Sequence, residues 1–392
     1  VGWGNFSKPS GHHTIYLCWK IFCERSNRWG CKIMNSIKGK IINYNQEVNG
    51  EITFDNKILE VKETSESVED YIIPGFVDLH CHGGMGYEVM DGWSSIEKMS
   101  KYHLLNGTTS ILPTTWTESF ENTYNALTEY RENIKKNPNI LGIHLEGPFI
   151  NPNKLGAQPD KALDPDIEFI KKLLEVAEIK IMTLAPELNG IEPLLDFMQK
   201  NKIKIQFGHS LAKYDQCVQY MEKYKIGFTH LYNAMSGNDH RDPGVLTAAL
   251  NHGDFAEIIF DKHHVSIGAF LLAKKCIPNL YTVSDSIGVS GLKDGSYRFA
   301  GAEIEKKDGK VFQSKTNTLA GSIVTMYQTF LNLIEIKCSL TEAVSLTSYN
   351  AAKYLDVTSV GEIYPGKIAN IVILDKTFKI KSIYLHGQKI DN

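Results

Sequence analysis

Ile72-Ile73-Pro74-Gly75-Phe76-Val77-Asp78-Leu79-His80-Cys81-His82-Gly83-Gly84 is the stretch on which the reading of this chain turns. The run Ile72–Val77 is short and apolar with a Pro-Gly break, so it reads as a buried strand rather than a helix. On an extended strand, side chains two residues apart share a face. His80 and His82 then present two imidazoles side by side with Asp78 below them, while Cys81 points the other way as a packing residue. Neutral imidazoles suit zinc, iron and similar ions. Two histidines near a loop can equally be ordinary hydrogen-bonded side chains, so the pair needs its other half elsewhere in the chain.

Outward from this stretch, residues 73–365 alternate short apolar runs with helical patterns. Strand-like runs recur at Thr109–Leu112, Ile140–Leu145, Ile179–Leu184, Lys204–Gly208, Ile226–Thr229, Ile258–Phe260 and Leu280–Ser284. With the run before His80 they make eight. Asp164-Pro165-Asp166 opens a helix with an N-cap and an N1 proline, and Phe169, Ile170, Leu173, Leu174 and Ala177 then recur at three and four. Ser339-Leu340-Thr341-Glu342 is a capping box. Eight strands alternating with helices predict an α/β fold, a TIM-like (β/α)8 barrel. A doubly wound open sheet is the alternative, but no glycine-rich phosphate loop follows the first strand.

Both ends of the chain have a different texture. Residues 34–72 carry short alternating runs such as Glu51-Ile52-Thr53-Phe54-Asp55, and residues 366–392 carry Ile371-Val372-Ile373-Leu374 and Ile380–Leu385. Neither end has enough strands for a stable sheet. Together they predict one small β-sandwich domain with the barrel inserted between its halves. Residues 1–33, with Trp3, Trp19, Trp29, Cys18, Cys23 and Cys31, show no clear periodicity and are expected to be a non-core extension outside the fold.

Composition narrows the class. The 392 residues are 42% apolar and 22% charged with a net charge of −3, which gives no basic excess for nucleic acid. No run of about 18 apolar residues predicts a membrane span. Seven scattered cysteines fit reduced thiols and a cytoplasmic setting better than a disulfide framework.

Polar groups stand directly after several of the buried runs: Glu146 before Gly147-Pro148, His209 after Gly208, His230 after Thr229 and Asp285 after Ser284. In a barrel these side chains converge at the carboxyl ends of the strands. Singly, His209 or His230 reads as a structural histidine, Glu146 as a turn residue and Asp285 as an N-cap. Their shared position after strands favours one metal site.

The runs Pro74–Gly83, His144-Leu145-Glu146-Gly147-Pro148-Phe149, Thr183–Glu187, Gly208-His209-Ser210, His230-Leu231-Tyr232-Asn233-Ala234-Met235 and Thr318–Ser322 are similar to those of the amidohydrolase superfamily. More narrowly they resemble its N-acetylglucosamine-6-phosphate deacetylase family, over about Met34 to the last residue. The resemblance implies that Glu146, His209 and His230 hold a divalent metal, zinc or iron, and that His80 and His82 hold a second, giving one or two ions per subunit. It implies Asp285 as catalytic acid and base. It implies substrate contacts from Ala157, Gln158, Asn233, Ala234, Arg241, His264, Leu319, Ala320 and Gly321. The contact assigned to His264 could instead fall to His263, since Lys262-His263 departs from the usual flank. The implied partner is a small-molecule amino sugar phosphate bound by a homodimer, with no nucleic acid or membrane involved. Deacetylation of N-acetylgalactosamine-6-phosphate, a cyclic-amide hydrolase and a non-catalytic scaffold are the competing readings.

Overall fold

The computed structural model describes residues 34–314 and 319–391. The expectations for residues 1–33, including their three cysteines, lie outside the described residues. The strands run in order β1 (Asn35–Ile42), β2 (Glu47–Phe54), β3 (Ile58–Glu63), β4 (Tyr71–Pro74), β5 (Phe76–Cys81), β6 (Gly83–Gly84), β7 (Tyr87–Glu88), β8 (Thr108–Thr115), β9 (Ile143–Glu146) and β10 (Ile179–Leu184). They continue with β11 (Lys204–Phe207), β12 (Ile226–Phe228), β13 (Phe255–Ile259), β14 (Asn279–Val283), β15 (Gly295–Phe299), β16 (Ala302–Lys307), β17 (Lys310–Gln313), β18 (Ile371–Leu374), β19 (Ile380–Leu385) and β20 (Gln388–Ile390).

All eight expected strand runs are present, as β5 and β8 to β14. Six of them form one parallel sheet in the order β12-β11-β10-β9-β8-β5, and β13 pairs in parallel with β14. Hydrogen bonds just beyond the strand ends stitch the two sheets together. The Leu231 N–H donates to Glu257 O at 2.8 Å on one side, and on the other Asp285 N–H donates to His80 O and His82 N–H to Ser286 O, both at 2.8 Å. A helix follows each strand, from Trp93–Leu105 after β5 to Met326–Glu335 after β14. This curled parallel sheet with its helices fits a TIM-like barrel.

The apolar positions explain why the helices lie where they do. Phe169, Ile170 and Leu173 on one helix and Leu194, Leu195 and Met198 on the next are buried with Met182, Leu184 and Phe207 of the strands in a single cluster. The first of these helices is Ile167–Val176, with Asp166 as N-cap accepting from the Glu168 N–H. It therefore starts two residues later than the Asp164-Pro165 reading. The Asp166 carboxylate satisfies an orphan amide there, whereas Asp164 makes no such bond. The capping box at Ser339 and Glu342 is present as expected.

Two expectations change. The run Ile72–Val77 is not one strand. Its first half, β4, belongs to a seven-stranded sheet ordered β20-β19-β18-β4-β1-β2-β3, and its second half, β5, opens the barrel. The switch falls at Gly75, where a Cβ would lie 2.1 Å from Thr109 Oγ1; only glycine allows that approach. Second, the two chain ends are not separate sheets but parts of one seven-stranded sheet, which folds so that the rings of Phe54 on β2 and Tyr384 on β19 lie 5.1 Å apart. β4 pairs with β1 on one side and β18 on the other, so both ends join edge to edge in one sheet. Ile41, Ile52, Phe54 and Ile72 from one end and Ile371 and Ile373 from the other share one buried cluster. The antiparallel β15-β16-β17 unit, inserted after β14, was not expected. The free cysteines among the described residues are Cys81, Cys217, Cys276 and Cys338, and no described helix is long and apolar enough to cross a membrane.

Candidate functional site

The residues after the strands meet at one mouth. Glu146 ends β9, and His209, His230 and Asp285 each stand two residues past β11, β12 and β14. The last three have positive φ, at 49°, 28° and 47°. A left-handed conformation costs a non-glycine residue about 1–2 kcal/mol, and such strain gathers where side chains must be aimed. Here it turns each side chain from the strand direction toward the barrel axis.

Glu146 is the centre of the cluster. Its Oε1 lies 3.1 Å from the Nε2 atoms of both His209 and His230, and its Oε2 lies 3.1 Å from His82 Nε2. His80 Nε2 is 3.1 Å from His82 Nε2 and 3.5 Å from Asp285 Oδ1, and Asp285 Oδ1 is 3.3 Å from His82 Nε2. Two groups of three potential ligands result: Glu146, His209 and His230, and beside them His80, His82 and Asp285. All six are buried.

Hydrogen bonds at the far side of the rings decide what the near side offers. His82 Nδ1 donates to Thr114 O at 3.0 Å and His209 Nδ1 donates to Lys154 O at 2.8 Å. His80 Nδ1 donates to Glu257 Oε1 at 2.6 Å. With the ring proton held at Nδ1, a neutral imidazole turns an unprotonated Nε2 toward its neighbours. Imidazole nitrogens and carboxylate oxygens then face one another across about 3 Å, a donor set that fits a divalent cation.

The electrostatics agree. Burial pulls the His80 pKa down, but the Glu146, Glu257 and Asp285 carboxylates outweigh it and raise it well above the usual value. Burial likewise opposes, and hydrogen bonds to Asp285 and Glu146 reverse, the shift of His82, which rises to about 9. Burial pushes the Asp285 carboxyl up, yet His80 and His82 bring it down to about 2. The carboxylates thus demand positive charge at this spot, as protons on the rings or as a metal ion.

A cleft of about 480 Å³ opens over the cluster. Ala157, Gln158, Asn233 and Ala234 line it, together with His264, Leu319 and Gly321. Gln158 donates through Nε2 to Glu146 Oε2 and accepts the Thr117 N–H at 2.7 Å. His264 faces the cleft, whereas His263 is exposed outside its lining. Two expected contact residues are elsewhere. Ala320 is fully buried in a cluster with Ile287 and Val289, so it packs behind the cleft rather than lining it. Arg241 is exposed on the loop after β12 and does not line this chain's cleft. Cys81 stays out of the cluster, its Sγ 3.1 Å from His103 Nε2.

Sequence reasoning missed Glu257, which lies within β13 rather than past its end. A lone acid inside the run Phe255–Ile259 was its available signal. It also missed the aromatic wall formed by Trp116 and Phe299, whose ring centroids are 5.1 Å apart.

Comparison with known proteins places the chain in a family. The model of the amidohydrolase family matches residues 71–390. The chain is similar to an N-acetylglucosamine-6-phosphate deacetylase of Bacillus subtilis, 36% identical over 81% of this chain and 84% of that one. It is also similar to an N-acetylgalactosamine-6-phosphate deacetylase of Escherichia coli O157:H7, 29% identical over 83% and 89%. Among solved structures, the N-acetylglucosamine-6-phosphate deacetylase of Thermotoga maritima superposes with a TM-score of 0.85 at 29% identity, covering 91% of this chain and 99% of that one. Sequence and fold give the same answer: this chain is an enzyme of the amidohydrolase family.

Proposed function

We propose that the chain hydrolyses the acetamide of N-acetylglucosamine-6-phosphate to glucosamine-6-phosphate and acetate, a step of amino sugar catabolism. The observation that supports this most is the convergence of Glu146 with His209, His230, His80, His82 and Asp285 under a cleft, in a chain related to deacetylases of that name. Glu146, His209 and His230 would hold one divalent ion, zinc or iron, and His80 and His82 a second. When bound, such an ion supplies Lewis-acid polarisation of the acetamide carbonyl and a lower pKa for water.

The chain's own residues do the rest. Asp285, within reach of both histidines of the second triad, takes a proton from the water that attacks the acetamide carbon. As the C–N bond breaks it returns that proton to the amine nitrogen, leaving acetate and the free amine. Gln158, fixed by the Thr117 amide, steadies Glu146. Asn233, Ala234, Ala157, Leu319 and Gly321 shape the sugar site, and His264 faces the phosphate. Arg241 would reach that phosphate from a second copy, since it lies outside the cleft of its own chain; a guanidinium suits it by bidentate contact. This makes the working unit a homodimer, placed in the cytoplasm where the sugar phosphate is found. In domain terms, residues 34–72 and 366–392 form the small β-domain, 73–365 the hydrolase barrel, and 1–33 an extension.

A second reading, N-acetylgalactosamine-6-phosphate as substrate, is favoured by the similarity to the Escherichia coli enzyme of that name. Acetate release measured on both sugar phosphates and on unphosphorylated N-acetylglucosamine tests the assignment. Turnover is expected to be highest on N-acetylglucosamine-6-phosphate and lowest without phosphate. Faster turnover of the galacto epimer would transfer the assignment to the second reading.

A further inference from the structure

Beneath the site lies a layer of buried polar side chains drawn from one strand after another. His144 of β9 bonds Thr183 of β10 at 2.8 Å, and Thr183 bonds Thr229, just past β12, at 2.7 Å. Thr229 donates to Gln206 of β11 at 3.0 Å, and the Gln206 amide donates to Tyr281 of β14 at 2.7 Å and to Glu257 of β13 at 3.3 Å. Glu257 is the one carboxylate in this chain of contacts, and it is fully buried.

Its contacts point upward into the site. Glu257 Oε1 accepts the Nδ1–H of His80 at 2.6 Å and also the backbone N–H of His230 at 3.1 Å. A buried carboxylate is tolerated only where donors surround it, and here those donors belong to members of both triads. A carboxylate behind a ligating histidine fixes which ring nitrogen carries the proton and makes the other a stronger donor.

We propose that Glu257 is the positioning residue of the His80–His82 half of the centre: it locks His80 with Nε2 bare and aimed at the second ion position. The proposal rests on the two-ion reading given above. The other half depends on it less. His230 is also kept in place by the backbone bond from Leu231 N–H to Glu257 O, which survives any change of the Glu257 side chain. Glu257 hydrogen-bonds His80, Gln206 and the His230 backbone, not Glu146 or His209.

The test is calorimetric titration of chelator-stripped protein with zinc or cobalt, comparing wild type with Glu257→Gln, which keeps the shape and removes the charge. Wild type is expected to take up two ions. In Glu257→Gln one ion should bind as in wild type, and the dissociation constant of the other should rise about 10–100-fold. In a His80→Asn background the further change Glu257→Gln should alter nothing, which a general loosening of the fold would not reproduce. If Glu257→Gln does not fold, Glu257→Asp withdraws the carboxylate by one methylene and should weaken the same ion. Two wild-type ions with both constants unchanged in a folded variant would overturn the role of Glu257 alone. A single ion in wild type would overturn the two-ion reading and this role with it.

Discussion

The Nε2 atoms of His209 and His230 stand 3.0 Å apart, each 3.1 Å from the same oxygen of Glu146. Because Lys154 O takes the Nδ1 proton of His209, that ring turns a lone pair toward its neighbours, and a cation is the economical occupant of the space between them. Replacing the carboxylate should undo this. Glu146→Gln is expected to purify folded but with its metal content reduced to at most one ion per chain, as read by elemental analysis. Wild-type metal content in that variant would contradict the assignment of Glu146.

Asp285 is aimed by a strained backbone at φ 47° and lies within 3.5 Å of His80 and His82. Asp285→Asn keeps the size and removes the proton acceptor. Its kcat for acetate release should fall by about 10²–10⁴, the usual worth of a general base, with KM changed only a few-fold. Near-wild-type kcat would reject Asp285 as the group that moves the proton.

How much of this was legible in the sequence depended on how local the signal was. Each barrel strand announced itself as a short buried run, and Glu146, His209, His230 and Asp285 were found because each directly follows one. Glu257 was invisible to that rule, since its role comes from reaching His80 across 177 residues of chain. The seven-stranded sheet was half legible. Alternation showed that both ends were β-structure, but that they join into one continuous sheet depends on β4 pairing with both β1 and β18. The β15–β17 unit carries its own signal, alternation around Asp308-Gly309, but it lies outside the β-then-helix rhythm that marks the barrel strands.

The barrel wall is held by packing that a single truncation should expose. Phe330 is fully buried, its ring 5.7 Å from that of Phe76 on β5 and 6.2 Å from that of Phe378. Phe330→Ala should cost about 3–5 kcal/mol, read as a lowered midpoint in chemical denaturation. A loss below about 1 kcal/mol would mean that the helix Met326–Glu335 is not anchored by this ring.

Glu88 gives a pH dependence with a definite sign. Burial, assisted by Asp91, raises its carboxyl from 4.5 to about 7. A carboxyl whose folded pKa lies above its unfolded one binds its proton more tightly in the folded state. Stability is therefore lost as pH rises from about 4.5 to about 7, by up to about 3 kcal/mol. Glu88→Gln, which stays neutral, should match wild type near pH 4.5 and exceed it at pH 8 in denaturant midpoints. Equal midpoints at both pH values would show that Glu88 is not desolvated in this way.

The central claim, that this buried cluster uses a divalent ion to cleave the acetamide of a sugar phosphate, is tested most directly by acetate release from N-acetylglucosamine-6-phosphate. The assay is run on the protein as purified, after chelation, and after zinc or iron is restored. We expect acetate and free amine in equal amounts, loss of release on chelation and its return with the ion. Release that persists in protein shown to be metal-free, or no release from any metal-loaded sample, would contradict the account.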